Sequence, residues 1–188
     1  QVVGDSVMAL WTASEPNAEI RHAACMAAVE ISEAVDRFNR EAGAHAMPTR
    51  VGLHAGEMLL GNIGAMNHYE YRPVGDIVNT ASRLEGLNKF LGTHVLVSHD
   101  AISRDNGFIE RAVGRFVFKG KSRPVLVHEL LVPRRPAGDQ KAEVCRMFAM
   151  GLDAFQQGNL DAASQWFRRV LRIDPADGPS RVYIGRCR

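Results

Sequence analysis

The sequence predicts an α+β fold in which helices pack on a β-sheet, and three observations lead to it. Residues 14–42 carry apolar side chains at three- and four-residue steps, which is typical of one amphipathic helix. Residues 93–98, THVLVS, alternate as a strand does, and residues 108–131 are two strand-like runs around a Lys-Gly-Lys turn. With 188 residues, 46% apolar and 23% charged, the chain has room for one domain and an appendage.

The charge, cysteine content and apolar runs of the sequence argue against several classes of protein. A net charge of +2 is too small to indicate nucleic acid or a membrane surface as the main partner. Cys25, Cys145 and Cys187 form neither a disulfide framework nor a CxxC pair, which favours a reducing compartment. No apolar run in this sequence is long enough to cross a bilayer, and we expect no signal peptide within it. The chain opens on QVVGD without an initiator Met, so we expect a piece of a longer protein.

The first half of the chain is predicted to alternate strands with one long helix. Residues 1–11 form two strand pieces joined at Gly4-Asp5, which taken alone predicts a hairpin turn. The helix over 14–42 begins near Ser14 and Pro16, ends at Gly43 and should cover one face of the sheet. Its apolar stripe is Ile20, Ala24, Ala27, Ile31, Val35 and Phe38.

The next segment, 49–63, predicts two strands with a turn near Gly56-Glu57. Its glycines do not form a P-loop, because no GK[ST] follows them. His54 has no nearby ligand partner in the sequence, so a packed or hydrogen-bonded strand residue is favoured over a metal ligand. Residues 99–106 predict a short helix closed at Gly107.

The segment 71–84, YRPVGDIVNTASRL, predicts a strand end, a turn at Gly75 and a helix capped by Asp76. Asn79 and Arg83 are four residues apart, so they project from one helix face. Such a pair is most often a simple solvated face. A helix start that presents an amide and a guanidinium nevertheless suits a polyanionic ligand, because the helix dipole favours negative charge there.

The end of the chain predicts a separate helical unit. Residues 132–141 form a Pro- and Gly-containing linker, and 142–157 and 160–173 form two antiparallel helices joined at Gly158-Asn159. The spacing matches one tetratricopeptide repeat, at Gly151, Gly158, Ala163, Phe167 and Pro175. A single repeat cannot bury both of its faces, so it must dock on the preceding domain, on another subunit or on further repeats.

The string GDIVNTASRLEG resembles the Asn/Arg signature of the class III nucleotidyl cyclases, the adenylate and guanylate cyclase catalytic domain. The resemblance extends over residues 1–131, through GDSVMALW (similar to the family's second metal-binding Asp and the buried strand after it), RVGLHAGEMLLGNIG (similar to the family's central hairpin) and FKGKSRPVLVHEL (similar to its final hairpin). It implies a ferredoxin-like α+β sandwich that lacks its first strand, with helices on one face of a mostly antiparallel sheet. The domains implied are 1–131 catalytic, 132–141 linker and 142–188 tetratricopeptide-like hairpin.

The resemblance also implies a role for each site residue. Asn79 would hold the nucleotide ribose, and Arg83 would stabilise charge on the α-phosphate. Lys119 would reach the phosphates, with Lys121 as the less favoured substitute. Asp5 would bind metal, as one ligand of two Mg²⁺ or Mn²⁺ ions. The family's other metal-binding aspartate would precede Gln1, so we expect this chain alone to be inactive.

The resemblance implies homodimers that carry two sites at their interface. Gln1 and Arg72 stand where adenylate cyclases place a Lys and an Asp or Thr that read adenine, so ATP is expected and GTP stays open. The order of parts is similar to bacterial cyclases with an upstream CHASE2 sensor, which implies a cytoplasmic domain of a membrane-anchored signalling protein. A catalytically inactive regulatory or dimerising module, with a partner protein on the tail, is the alternative.

Overall fold

The computed structural model describes residues 2–3, 5–65, 68–102, 107–133 and 140–188. Its elements in order are β1 (Val2–Val3), β2 (Ser6–Val7), α1 (Ala18–Ala42), β3 (Val51–Leu53), β4 (Leu59–Ala65), β5 (His68–Val74), α2 (Asp76–Leu91), β6 (Val95–Ser98), β7 (Phe108–Phe116), β8 (Val125–Pro133), α3 (Gln140–Gln156), α4 (Leu160–Ile173) and α5 (Gly178–Arg186). None of the helices described is long and apolar enough to cross a membrane.

Four strands form the main sheet, in the order β3-β6-β8-β7. The β3–β6 pair is parallel, and the other two pairs are antiparallel. Because the bulge between Ala112 and Gly114 shifts the register of β7, Gly114 lies opposite Val127. The predicted α+β class and the final hairpin are confirmed, and the strand predicted over 93–98 is present over 95–98.

Helices cover both faces of this sheet, so the expectation that they lie on one face is wrong. Val95 and Val97 of β6 pack with Cys25 and Val29 of α1. The residue between them, Leu96, belongs to the other core, which includes α2. Because successive strand residues point to opposite faces, α1 and α2 lie on opposite sides of the sheet.

Helix α1 begins later than predicted, and it buries a different stripe. Its N-cap is Asn17, whose side chain accepts a hydrogen bond of 3.1 Å from the Ile20 amide. Ser14 and Pro16 precede the helix, because Asn17 satisfies the first-turn donor instead. Ile31 and Phe38 of the predicted stripe are 47% and 50% exposed. The buried residues are Ala24, Cys25, Ala28 and Val29, all in the first half of the helix.

Two predicted strand pairings differ in the structure. Segment 49–63 is not a hairpin, because β3 pairs in parallel with β6 and β4 pairs with β5 in a separate two-stranded sheet. The predicted hairpin at Asp5 is confirmed as β1–β2. The buried strand expected after it is absent from the described residues: no strand of the main sheet pairs with β2, and Val7 is 76% exposed.

Of the short helix predicted over 99–106, the structure describes a 3₁₀ turn, His99–Ala101, and 103–106 lie outside the described residues.

The C-terminal helices dock on the main sheet, which is the first of the three arrangements considered. Phe148 of α3 and Tyr183 of α5 share one buried cluster with Leu96, Val113 and Val127 of the sheet. Helices α3 and α4 follow the prediction, but α5 was missed. Its signals were an N-cap residue, Asp177, followed closely by a proline in the first turn.

Buried ion pairs around Arg111 hold the C-terminal helices on the sheet. Arg111 of β7 forms ion pairs with Glu129 of β8, at 2.6 Å, and with Asp177, at 2.5 Å. The Tyr183 hydroxyl donates a hydrogen bond of 2.7 Å to the Val113 carbonyl. Beside it, Gly114 has φ +129°, and a Cβ there would lie 2.3 Å from the Tyr183 hydroxyl. The helices therefore approach the sheet at a place where only glycine fits.

Candidate active site

Helix α2 carries the signature residues, and its start differs in one respect from the prediction. The N-cap is Gly75, with φ 148° and ψ 169°, and no side chain caps the helix. Asp76 is the first helical residue, so the prediction that it caps the helix is wrong. A carboxylate in the first turn still complements the helix dipole.

Three contacts hold α2 against the edge strand β3. A Cβ on Gly52 would lie 2.2 Å from the Ala81 carbonyl oxygen, so glycine is required for this approach. The buried Asn88 amide donates a hydrogen bond of 3.0 Å to the Val51 carbonyl. Arg50 and Glu85 form an ion pair of 2.8 Å. The sheet thus fixes the helix along its length.

Asn79 and Arg83 lie one turn apart on α2, and both are exposed. The opposite face is buried and consists of Thr80, Leu84, Asn88 and Leu91. Because that face is fixed, the amide and the guanidinium are presented together to solvent. This arrangement is the one that the spacing predicted.

The turn between β7 and β8 reaches the start of α2. Lys121 forms an ion pair with Asp76, a contact that the sequence did not predict. Lys119 is exposed in the same turn, beside Gly120 with φ 83°. Since Asp76 neutralises Lys121, Lys119 is the turn lysine whose charge is available to an anion.

His54 lies close to this contact, but its side chain forms a hydrogen bond inside the protein. Its Nδ1 is 2.7 Å from the Ser98 hydroxyl, which joins the ends of β3 and β6. Burial lowers the pKa of His54, partly opposed by the charge of Asp100. The hydrogen bond that the sequence favoured is confirmed, but His54 lies directly after β3 and not within the strand.

Asp5 lies in the turn of the β1–β2 hairpin and is exposed. An exposed carboxylate on a turn offers the hard oxygen that Mg²⁺ and Mn²⁺ prefer. Among the described residues, however, no group of three or more His, Cys, Asp or Glu side chains could hold a metal ion. Asp5 therefore fits as one ligand, and it does not form a complete site.

Of the two residues expected to read the base, the structure describes only the backbone of Arg72. Gln1 lies outside the described residues. Arg72 stands in β5 opposite Gly61, and its side chain lies outside the described part of the structure. Strand β5 ends at Val74, directly before Gly75, so Arg72 is on the strand that leads into α2.

Comparisons with known proteins agree with this arrangement. A family model described as "Adenylate and Guanylate cyclase catalytic domain" matches residues 1–131. "Adenylate cyclase 1" of Rhizobium meliloti (strain 1021) is 39% identical over 137 residues, 70% of this chain and 20% of that protein. "Retinal guanylyl cyclase 1" of Rattus norvegicus is 35% identical over 126 residues, 64% of this chain and 11% of that protein. The crystal structure of the adenylyl cyclase CyaB from P. aeruginosa aligns with a TM-score of 0.53 and 27% identity, over 65% of this chain and 64% of that one. The chain thus spans only a small part of the two curated relatives.

Proposed function

Because this chain belongs to the family of adenylate and guanylate cyclase catalytic domains, we propose that it forms cyclic AMP and pyrophosphate from ATP. The observation that supports this most is the pairing of exposed Asn79 and Arg83 on α2 next to the turn that carries Lys119. Two cations and an amide, on the first half of one helix and on the turn beside it, suit a triphosphate. The 39% identity to an adenylate cyclase favours ATP over GTP.

Each residue has a separate task in this proposal. Asn79 orients the ribose, so that its 3′-hydroxyl faces the α-phosphate. Arg83 donates hydrogen bonds to the α-phosphate oxygens as charge develops there during ring closure. Lys119 offsets the charge of the departing pyrophosphate. Charge stabilisation of this kind is effective because the donors are held in place before the reaction.

Two Mg²⁺ or Mn²⁺ ions would supply further charge neutralisation and orient the 3′-hydroxyl. Asp5 is the residue of this chain that would hold them. One carboxylate is too few ligands for two ions, so the site needs the family's other aspartate and the substrate phosphates.

We further propose that the site is shared between two copies of the chain. Asp5 belongs to the β1–β2 hairpin, whereas Asn79 and Arg83 belong to a helix on the main sheet. Pairing Asp5 of one copy with Arg83 of the other would give a homodimer two sites.

We also propose that the chain acts in signal transduction, as a cytoplasmic domain of a membrane-anchored sensor of the CHASE2-linked type, because of the order of its parts. The tail would be a tetratricopeptide-like unit with a protein partner. A catalytically inactive regulatory module is the second candidate, favoured by the replacement of the base-reading pair by Gln1 and Arg72.

The experiment compares two proteins in the presence of Mn²⁺ and ATP. One is the 188-residue chain. The other, called the extended protein below, carries before Gln1 a strand bearing the family's other metal-binding aspartate. We expect cyclic AMP from the extended protein and negligible amounts from the shorter chain. No cyclic nucleotide from the extended protein would favour the inactive module, and equal turnover by both would contradict a metal site that needs an upstream aspartate beside Asp5.

A further inference from the structure

Residues of helices α4 and α5 line an open surface groove that the nucleotide chemistry does not use. Its volume is about 450 Å³, and it is lined by Arg168, Leu171 and Arg172 of α4 and by Arg181 and Ile184 of α5. The arginines are exposed, and the two apolar residues are half-buried between them. Grooves of this volume are large enough for several side chains of a ligand.

The charge in this groove is uncompensated. Within the ranges that the structure describes, no carboxylate lies within ion-pair distance of Arg168, Arg172 or Arg181. Arg168 donates a hydrogen bond of 3.4 Å to the Ser164 hydroxyl in its own helix, and Arg181 donates to the Pro175 carbonyl. Arg168 and Arg172 are one turn apart, so they repel each other in the free protein. An anionic ligand would relieve this repulsion.

The walls of the groove are fixed before any ligand arrives. Helix α4 is held by Ala163, Phe167 and Val170, each of them fully buried. Helix α5 is held by the ion pair of Asp177 with Arg111 and by the hydrogen bond of Tyr183 to Val113. Donors on rigid walls lose little freedom on binding, which favours affinity.

We propose that this groove binds an acidic segment of a partner protein, whose carboxylates pair with the three arginines and whose apolar side chains cover Leu171 and Ile184. Guanidinium groups recognise carboxylates through paired hydrogen bonds. The apolar floor favours a peptide over a small inorganic anion, which would leave Leu171 and Ile184 in water. No aromatic ring lines the groove, so bases of a nucleic acid find no stacking surface. This inference rests on the proposed role of the tail as a unit with a protein partner, and it does not depend on cyclase activity.

The test uses the whole 188-residue chain and a fluorescein-labelled peptide that alternates glutamate with leucine. Fluorescence anisotropy measures binding. A second peptide carries glutamine in place of glutamate and is expected not to bind. The groove variant is Arg168→Glu with Arg172→Glu, which should weaken binding of the acidic peptide at least about tenfold. The matched control is Arg37→Glu with Arg40→Glu, two exposed arginines on α1, which should leave binding unchanged.

A replacement variant and a competition experiment complete the test. If the groove variant does not fold, as judged by circular dichroism, the neutral pair Arg168→Gln with Arg172→Gln replaces it with the same expectation. Pyrophosphate is added as a competitor and should displace the peptide only through general salt screening. Absence of peptide binding, equal binding by the groove variant, or displacement by pyrophosphate at concentrations far below screening would each overturn the proposal.

Discussion

Lys121 and Asp76 form an ion pair that joins the β7–β8 turn to the first turn of α2. The pair links the segment that carries Lys119 to the helix that carries Asn79 and Arg83. Because the Asp76 side chain is 64% exposed, the pair contributes little stability, about 0–1 kcal/mol. The pair matters because it occupies Lys121. Among the described residues, Lys119 is then the lysine of that turn without an ion-pair partner.

The first prediction separates the two lysines in the extended protein. Lys119→Met should lower kcat by roughly 10²–10³, because a preorganised donor to the phosphates is lost. Lys121→Met should have a smaller effect, equal to that of Asp76→Asn, since both remove the same ion pair. The measurement is kcat and KM for ATP. A normal Lys119→Met combined with an inactive Lys121→Met would assign the phosphate contact to Lys121.

The second prediction concerns the shared site. In the extended protein, Asp5→Ala and Arg83→Ala should each lower kcat by at least roughly 10²–10³. Mixing the two variants should restore part of the activity, because a mixed dimer holds one intact site and one doubly altered site. Cyclic AMP formation before and after subunit exchange is measured, and each variant alone is the control. Exchange without recovery of activity would contradict a site built from two chains.

The third prediction concerns the base. Gln1 is both donor and acceptor, and Arg72 is only a donor, so this pair discriminates weakly between adenine and guanine. Since an unpaired polar group costs about 1–3 kcal/mol, ATP should be preferred over GTP by less than about a hundredfold. The double change Gln1→Lys with Arg72→Asp should sharpen that preference. The measurement is kcat/KM for both nucleotides, and strong ATP selectivity before the change would show that other residues read the base.

The fourth prediction tests the ionic contact between tail and sheet. Asp177→Ala should lower the free energy of unfolding by about 1–3 kcal/mol, because Arg111 loses one of its two buried carboxylate partners and α5 loses its N-cap, while Glu129 still pairs with Arg111. Urea denaturation measures it, with the exposed Asp161→Ala as control, which should change stability by less than about 0.5 kcal/mol. Because tail and sheet share one core, unfolding should be a single transition. Two separated transitions would mean that the tail folds independently.

The fifth prediction concerns pH. Burial, and then the neighbouring His99, lower the pKa of His128 from 6.5 to about 4. Between these two values the unfolded chain binds a proton that the folded chain does not, so stability falls as pH drops through that window. His128→Gln should flatten this part of the stability curve, measured by urea denaturation at several pH values. Loss of the exposed His45, as His45→Gln, should leave the slope unchanged.

The sequence by itself determined the local elements. The α2 helix and the four-residue spacing of Asn79 and Arg83 follow from periodicity and from the Gly-Asp turn, which are properties of neighbouring residues. The same is true of the final hairpin and of helices α3 and α4. Such patterns can be read directly because the energies that favour them act within a few residues of the chain.

The tertiary structure decided which distant segments meet. Strand β3 pairs with β6 rather than β4, although β4 is closer in sequence. Lys121 meets Asp76, and Arg111 meets Asp177, across 45 and 66 residues of chain. Local preferences carry no information about such contacts. They are set by which apolar faces pack together, because burial of the shared core brings those polar groups within reach of one another.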